Sequence, residues 1–262
     1  MIEAVIFDWA GTTVDYGSLA PVVAFKAAFN TKSIYPTDEE IRQFMGMSKW
    51  DHIGEMLQLP TIRQQWEDEY GELPTEDDRK ELYTMFESAL MAHLVKQTEL
   101  KPHLLDTIDF LEDSGIQYAT TTGYTPEMMD AVQRGASNLG YKPDIVLTSA
   151  DVNNNGRPAP DMIEKILFEL GEIKPEEALK VGDTIVDIEE GRNAGVQTVG
   201  IIDGSSLMGL NESDFNNLTE DEREAVRAEV RQQFETVDAD YIINDLSELP
   251  EVIKSLNQLK EM

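Results

Sequence analysis

Six short apolar runs, most of them separated by amphipathic stretches, constrain the fold of this chain more than any other sequence feature. The runs cover residues 3–7, 117–121, 144–148, 179–182, 197–202 and 240–243. Short apolar runs rich in β-branched residues are typical of buried strands. Because strands that alternate with helices form βαβ units, the pattern predicts an α/β fold with a mostly parallel sheet covered by helices on both faces.

The long stretch between the first and second runs breaks this alternation, because it contains helical patterns and no strand. Within it, Asp38 and Thr75 are each followed by acidic residues and are predicted to start helices. We therefore predict two domains. Residues 1–19 and 100–262 form the core that contains the sheet, and residues 20–99 form an inserted all-helical domain.

Composition excludes several classes of function. The 262 residues include 51 acidic and 21 basic side chains, which give a formal net charge of −30, and no cysteine. Such a surface repels nucleic acids and anionic membranes, and no run approaches the roughly 18 apolar residues of a membrane span. Without cysteine the chain has no disulfide, no thiolate chemistry and no cysteine-ligated zinc. We expect a cytoplasmic protein with neither a nucleic-acid nor a membrane partner.

Polar side chains follow three of the predicted strands. Asp8 follows the first strand, Thr122 the second and Asp183 the fourth, with Asp187 four residues later. The carboxyl ends of neighbouring strands line one crevice in an open α/β sheet, so these groups can converge there. Separated carboxylates suit Mg²⁺, which prefers oxygen ligands. Each aspartate alone is better explained as a helix N-cap or turn residue, but the full ordered set favours a magnesium site.

These residues belong to an ordered series of motifs: "DWAGTT" from Asp8, Thr122 before Gly123, Arg157 in "GRPAP", and "VGDTIVDIEEG" at 181–191. The series resembles the four motifs of the haloacid dehalogenase superfamily. More narrowly, "FDWAGTTVDYG", "MGMSKWDHI" and "TTGYTPEMMD" are similar to segments of the phosphonoacetaldehyde hydrolase, or phosphonatase, family. The similarity covers nearly the whole chain. Ala10 and Lys49 are the residues most specific to this narrower family. At the position of Ala10, most phosphotransferases of the superfamily have a second carboxylate.

The resemblance implies a Rossmann-like core with the helical insertion as a cap, and hydrolysis of the carbon–phosphorus bond of phosphonoacetaldehyde to acetaldehyde and phosphate. Lys49 would form a Schiff base with the aldehyde, so that the iminium accepts the electrons of the breaking bond. Asp8 would attack phosphorus and form an aspartyl phosphate, which water hydrolyses. Ala10 is compatible with this chemistry, because an enamine leaving group needs no proton at the moment of cleavage.

The resemblance also implies the other roles in the site. The expected Mg²⁺ ligands are Asp8, the carbonyl of Ala10, Asp183 and Asp187. The expected substrate-binding residues are Thr122, Arg157, Tyr124 and Met45. His52, three residues after Lys49 on the same helix face, would transfer protons or orient the amine. A lysine has a pKa of about 10.4 in water, so burial or a nearby cation must lower the pKa of Lys49 for it to react near neutral pH.

Two alternatives remain open. The first is a phosphomonoester phosphatase of the same superfamily, which Ala10 disfavours and which leaves Lys49 unexplained. The second is a non-catalytic anion-binding scaffold, which the intact set of Asp8, Asp183, Asp187 and Arg157 disfavours. The resemblance further implies a homodimer that acts on a small-molecule phosphonate, although no residue identifies the surface between subunits.

Overall fold

The computed structural model describes residues 1–94 and 97–260. Its strands are β1 (Ala4–Phe7), β2 (Gln117–Thr121), β3 (Val146–Leu147), β4 (Ala178–Gly182), β5 (Gln197–Ile201) and β6 (Tyr241–Ile243). Its α-helices are α1 (Leu19–Asn30), α2 (Asp38–Arg42), α3 (Lys49–Met56), α4 (Pro60–Tyr70), α5 (Glu76–Leu94), α6 (Leu104–Asp113), α7 (Pro126–Asn138), α8 (Asp161–Glu169), α9 (Ile185–Asn193), α10 (Glu212–Asn217), α11 (Glu220–Thr236) and α12 (Leu249–Lys260). Short 3-10 helices span Ser149–Val152, Pro175–Glu177 and Leu246–Glu248. Each of the six predicted strands is present, and the predicted α/β fold is confirmed.

The six strands form one parallel sheet in the order β3-β2-β1-β4-β5-β6. This is the Rossmann-like doubly wound order, in which the chain leads outward in both directions from β1. All four residues of β1 are buried. Val5 and Phe7 pack into the hydrophobic core on one face of the sheet, and Ala4 and Ile6 pack into a second core on the other face. Side chains alternate across a strand, so a strand covered on both faces is apolar along most of its length.

Helices α1 to α6 lie between β1 and β2 in the chain, and the described residues there contain no regular strand, as predicted; we call α1 to α5 the helical segment. Helix α5 buries Leu82, Phe86, Leu90 and Leu94, whose four-residue spacing places them on one face. This face packs on α1, where the ring of Phe25 stacks on Phe86 with a centroid distance of 4.1 Å. At 19 residues α5 is the longest of these helices, yet neither it nor any other helix in the described residues is apolar enough to cross a membrane.

The two predicted helix starts are close to the observed ones. Helix α2 begins at Asp38, and the preceding Thr37 accepts the N–H of Glu40 at 3.1 Å. Helix α5 begins one residue after Thr75, because the Thr75 hydroxyl accepts the N–H of Asp78 at 3.3 Å and so caps the helix. Threonine side chains commonly satisfy the free N–H groups of a first helical turn in this way.

Two segments connect the sheet to helices α1–α5, and they run side by side. Val14 in the outgoing segment and Leu100 in the returning segment form an antiparallel bridge. Next to this bridge, the N–H of Asp15 donates to the carbonyl of Glu99 at 3.0 Å. We call these segments, residues 13–15 and 99–101, the paired linkers.

Candidate active site

The three central strands, β2, β1 and β4, all end in polar residues at the same edge of the sheet. Thr122, Asp8 and Asp183 directly follow these strands, and their side chains are buried. In a doubly wound sheet a ligand site forms at the carboxyl edge where the strand order reverses, which here lies between β1 and β4. The topology therefore places Asp8 and Asp183 on the two sides of this crevice.

Three buried carboxylates form a cluster in the crevice. Oxygen atoms of Asp8, Asp183 and Asp187 lie within 4.8 Å of one another. Burial, together with the charges of Asp8 and Asp187, raises the pKa of Asp183 well above its usual range. Burial and the charge of Asp8 also raise the pKa of Asp187. A cation among these oxygens would relieve that repulsion, and an all-oxygen donor set suits a hard divalent metal, so the cluster could bind one.

The loop after β1 approaches Asp183 very closely. Gly11 has a φ of +86°, and a Cβ atom there would lie 2.2 Å from Oδ2 of Asp183. A residue with a side chain is therefore excluded by both backbone conformation and space. The hydroxyl of Thr12 lies 3.1 Å from Oδ1 of Asp183 and 3.3 Å from Oδ2 of Asp8, so it bridges the two carboxylates.

Asp187 combines a structural role with a place in the cluster. Thr184 caps α9 by accepting the N–H of Asp187 at 3.1 Å, and Oδ2 of Asp187 accepts the N–H of Thr184 at 3.1 Å in return. Oδ1 lies 3.2 Å both from Arg157 Nη1 and from Lys180 Nζ. The N-cap is thus Thr184 rather than Asp187; Oδ2 of Asp187 completes the capping box, and Oδ1 belongs to the buried charged cluster.

Arg157 is buried directly against Asp8. Its Nη1 donates to Oδ1 of Asp8 at 2.8 Å, and its Nη2 donates to the carbonyl and the hydroxyl of Thr121 at 2.6 and 2.7 Å. Nη1 also reaches the carbonyl of Gly46, in the segment between α2 and α3, at 3.2 Å. Burial raises the pKa of Asp8, but the charges of Arg157 and Lys180 outweigh it, and the net shift is downward. Asp8 is therefore an ionised carboxylate beside a group that binds anions.

Two buried residues, Glu190 and Lys180, bind Arg157 or its partner Thr121 and were not predicted from the sequence. Lys180, inside β4, donates to the Thr121 hydroxyl at 2.7 Å and lies 2.9 Å from Oε2 of Glu190. The same Glu190 oxygen lies 2.9 Å from Nε of Arg157. A lysine inside an otherwise apolar strand was the available signal, because a fully buried lysine needs a partner.

Lys49, from the helical segment, lies over the carboxyl edge of the sheet. It begins α3 immediately after the cap residue Ser48, and only 3% of its surface is exposed. Its Nζ lies 5.3 Å from the ring centroid of Tyr124. Burial, with a smaller contribution from Arg157, lowers the pKa of Lys49 to about 8, although the charge of Asp8 opposes the shift. The pKa of Lys49 is thus shifted in the direction that Schiff-base formation requires.

His52 lies on the same helix and is completely buried. Its ring packs on Phe25 at a centroid distance of 4.0 Å, and its Nε2 lies 2.8 Å from the carbonyl of Ile41. Burial and the charge of Lys49 lower the pKa of His52 well below its usual range, so the ring is neutral. Because a carbonyl oxygen can only accept a hydrogen bond, the ring proton is on Nε2, which donates to Ile41. Nδ1 has no hydrogen-bond partner within the described part of the chain, which leaves it as a free acceptor.

Most of the predicted site residues surround one small cavity of about 20 Å³, which is room for about one water molecule. Its lining includes the predicted residues Asp8, Ala10, Met45, Lys49, Thr122, Tyr124 and Arg157. It also includes Ser18, Gly46, Gly123, Thr184 and Ser206, which sequence analysis did not assign to the site. A much larger cleft of about 770 Å³ lies between the helical segment and residues 154–159, but of the predicted site residues it contains only Arg157.

Two family models match the chain. One, for haloacid dehalogenase-like hydrolases, matches residues 2–195. A second, for proteins described as similar to these hydrolases, matches residues 154–249. Together they cover both the helical segment and the sheet, so the match extends well beyond the motif residues.

Individual proteins match over almost their full length. The chain is 43% identical to a phosphonoacetaldehyde hydrolase of Lactiplantibacillus plantarum over 98% of this chain and 97% of that protein. It is 42% identical to a phosphonoacetaldehyde hydrolase of Latilactobacillus sakei over 96% of this chain and 95% of that protein. The fold is similar to the crystal structure of a phosphonoacetaldehyde hydrolase-like protein from Oleispira antarctica, with a TM-score of 0.95, 36% identity, and coverage of 98% and 93% of the two chains.

Proposed function

This chain belongs to the phosphonoacetaldehyde hydrolase family of the haloacid dehalogenase-like hydrolases, and from that premise we propose that it hydrolyses phosphonoacetaldehyde to acetaldehyde and phosphate. One observation supports the proposal most strongly. Lys49, a buried lysine with a lowered pKa, lines the same small cavity as Asp8 and Arg157. A plain phosphate-ester hydrolase has no use for such an amine, whereas cleavage next to an aldehyde does.

The difficulty of the reaction lies in the carbon atom that leaves phosphorus. Without assistance that carbon must leave with the bonding electron pair, as a carbanion. A general acid of ordinary strength cannot stabilise this charge while the bond breaks. The neutral amine of Lys49 adds to the aldehyde, water leaves, and the resulting iminium accepts the electron pair of the breaking carbon–phosphorus bond. The product is an enamine, which then takes a proton on carbon and is hydrolysed to acetaldehyde and free Lys49.

The free ring nitrogen of His52 supports the proposal that this residue assists the amine. Because its Nε2 hydrogen bonds to the carbonyl of Ile41, a proton can be accepted only at Nδ1. Imine formation requires that a proton leave the attacking nitrogen and that the departing oxygen be protonated. We propose that His52 transfers these protons on the face of α3 that also carries Lys49.

Asp8 is the proposed nucleophile toward phosphorus. As the carbon–phosphorus bond breaks, a bond forms between the Asp8 carboxylate and phosphorus, and the aspartyl phosphate that results is hydrolysed by water. Arg157, 2.8 Å from Asp8, neutralises the phosphoryl oxygens that otherwise repel this carboxylate. Thr122, Tyr124 and Met45 line the same cavity and are proposed to bind the substrate.

The acidic cluster fits a divalent cation, and we propose Mg²⁺. Asp8, Asp183 and Asp187 would hold it with their side chains and Ala10 with its carbonyl, a hard donor set without sulfur or nitrogen. When bound, the ion supplies positive charge that offsets the carboxylates and the phosphoryl oxygens. The close approach of Gly11 and the hydrogen bond from Thr12 keep Asp183 in place for this role.

We further propose that residues 20–99 act as a cap domain that must open to admit substrate. The cavity of about 20 Å³ holds far less than a phosphonate, while Lys49 and Met45 on its lining come from the helical segment. We also propose, from the composition, that the enzyme is cytoplasmic and, from the family resemblance, that it is a homodimer. Light scattering in solution tests the dimer.

The decisive experiment is to trap the imine. The protein is incubated with phosphonoacetaldehyde and Mg²⁺, reduced with borohydride, digested, and searched for added mass by mass spectrometry. We expect one adduct, on Lys49, together with release of phosphate. Lys49→Arg should lose both, while the control Lys80→Arg, at an exposed position in α5, should keep both.

Other outcomes contradict the proposal in distinguishable ways. Turnover of phosphonoacetaldehyde by Lys49→Arg within about tenfold of the unchanged protein would exclude the Schiff base. Hydrolysis of phosphate esters by a folded protein that gives no adduct would support the phosphatase alternative. Failure of Asp8→Asn to lower either activity would remove Asp8 as the nucleophile.

A further inference from the structure

Lys101 is a buried lysine that the proposed chemistry leaves unexplained. It ends the returning half of the paired linkers, and its backbone N–H donates to the carbonyl of Thr13 in the outgoing half at 2.8 Å. Its side chain turns toward the sheet and is only 4% exposed. Long charged side chains at linkers normally reach solvent, so this inward direction needs a cause.

The ammonium group of Lys101 binds backbone carbonyls rather than a carboxylate. Nζ donates to the carbonyl of Gly11 at 2.6 Å and to the carbonyl of Asp203 at 2.5 Å, and it lies 5.5 Å from the ring centroid of Tyr16. Within the described ranges no carboxylate lies at ion-pair distance from this nitrogen. Two buried carbonyl groups would lack these hydrogen bonds without the lysine.

The two carbonyls belong to the loops on either side of Asp183. Gly11 packs directly against the Asp183 carboxylate in the loop that follows Asp8. Asp203 lies in the loop after β5, in which the N–H of Ser206 donates to Oδ2 of Asp183 at 2.7 Å. Lys101 therefore joins the two backbone segments that hold this carboxylate.

The Asp203 side of this connection is anchored to the body of the core. Arg227 of α11 donates to both carboxylate oxygens of Asp203, at 2.9 and 2.6 Å. These two hydrogen bonds fix the position of Asp203 relative to α11. On the other side, the N–H of Gly11 donates to the carbonyl of Val14 at 2.8 Å within its own turn, and among the described residues the carbonyl of Gly11 accepts a hydrogen bond from Lys101 only.

We propose that Lys101 is a positioning residue for the loop that follows Asp8. It holds the Gly11 carbonyl at a fixed distance from Asp203 while the paired linkers move. Asp8, the Ala10 carbonyl and Asp183 thereby keep their arrangement. The inference rests on the proposed function, because it assigns a task within that site. Lys101 touches neither substrate nor metal in this scheme. It acts through the backbone next to Ala10.

The test compares Lys101→Met with the unchanged protein and with Lys254→Met, a control at an exposed lysine of α12. Mg²⁺ binding to the folded protein, measured by titration calorimetry with Mg²⁺ alone, is read beside kcat and KM. We expect Lys101→Met to lower both Mg²⁺ affinity and kcat by about 10- to 100-fold, as is typical when support for a metal ligand is removed. KM should change little and Lys254→Met should change nothing.

Imine trapping at Lys49 separates failure of this inference from failure of the proposed function. If the unchanged protein forms no adduct and releases no phosphate, the proposed function is wrong. If the unchanged protein reacts and Lys101→Met is folded with unaltered kcat and Mg²⁺ affinity, the positioning role is wrong. We expect Lys101→Met to form the Lys49 adduct at a normal rate and to be slow in releasing phosphate.

A second variant decides the matter if Lys101→Met does not fold. Lys101→Arg keeps the charge and the donors but changes their reach, so it should restore folding. A lower kcat and weaker Mg²⁺ binding at unchanged KM would then support positioning. Parameters equal to those of the unchanged protein would show that Lys101 serves the fold alone.

Discussion

The side chain of Lys49 shows how burial, with a smaller contribution from a nearby cation, prepares a residue for nucleophilic chemistry. With a pKa of about 8, about a tenth of Lys49 is neutral at pH 7, whereas a lysine at the usual pKa of about 10.4 is well under 0.1% neutral. Only the neutral amine attacks an aldehyde. We therefore expect the initial rate of adduct trapping to rise about tenfold per pH unit below pH 8 and to level off above it. Rates that keep climbing to pH 10 would show that Lys49 is not desolvated when it reacts.

If His52 transfers protons during imine formation, its replacement should slow that step. His52→Gln keeps an N–H that can donate to the carbonyl of Ile41 but removes the ring Nδ1. We expect imine trapping to slow by about 10²- to 10⁴-fold, the usual contribution of a general acid or base, with little change in inhibition by phosphate. Thermal melting must first show that the variant is folded. Normal trapping in a folded variant would assign His52 to packing on Phe25 alone.

At the scale of elements, helices α9 and α11 each begin with a threonine capping box and so form a matched pair. Thr184 caps α9 next to the acidic cluster, and Thr219 caps α11 away from it. Replacing either threonine by alanine should cost about 1 kcal/mol of stability, since each loses the same hydrogen bonds. Only Thr184→Ala should also weaken Mg²⁺ binding, because it frees the side chain of Asp187.

The comparison is made by chemical denaturation and by Mg²⁺ titration on both variants. Equal losses of stability with a loss of Mg²⁺ affinity confined to Thr184→Ala would assign that loss to Asp187. Equal effects of both variants on Mg²⁺ binding would instead point to a general loosening of the fold.

At the scale of the whole molecule, the net charge of −30 opposes an anionic substrate. Salt screens such repulsion, with a screening length that falls to about 10 Å at 0.1 M. We therefore expect KM for phosphonoacetaldehyde, at saturating Mg²⁺, to fall as potassium chloride is raised from about 20 to about 200 mM, while kcat stays constant. A neutral solute such as sucrose is the control. A KM that rises with salt would mean that local cations at the site dominate the field that the substrate meets.

Local pattern accounts for the elements that were predicted correctly. The first strand was recognisable because a buried strand of a parallel sheet is mostly apolar, and all four residues of β1 are. The helical segment was recognisable because α5 repeats its buried residues every fourth position. Helix starts were within one residue, because capping depends on residues three positions apart.

The sequence also determined which residues could carry chemistry, since Asp8, Lys49, Arg157 and Asp183 stand in short motifs that resemble those of one family. The tertiary structure alone decided what surrounds them. Arg157 meets Asp8 across 149 positions of chain, and the lysine of β4 and the lysine of the linker bind groups far away in sequence. Burial lowers the pKa of Lys49, and burial is a property of the packed whole. Periodicity and motifs act over a few residues, whereas desolvation and buried charge pairing arise only when distant segments meet.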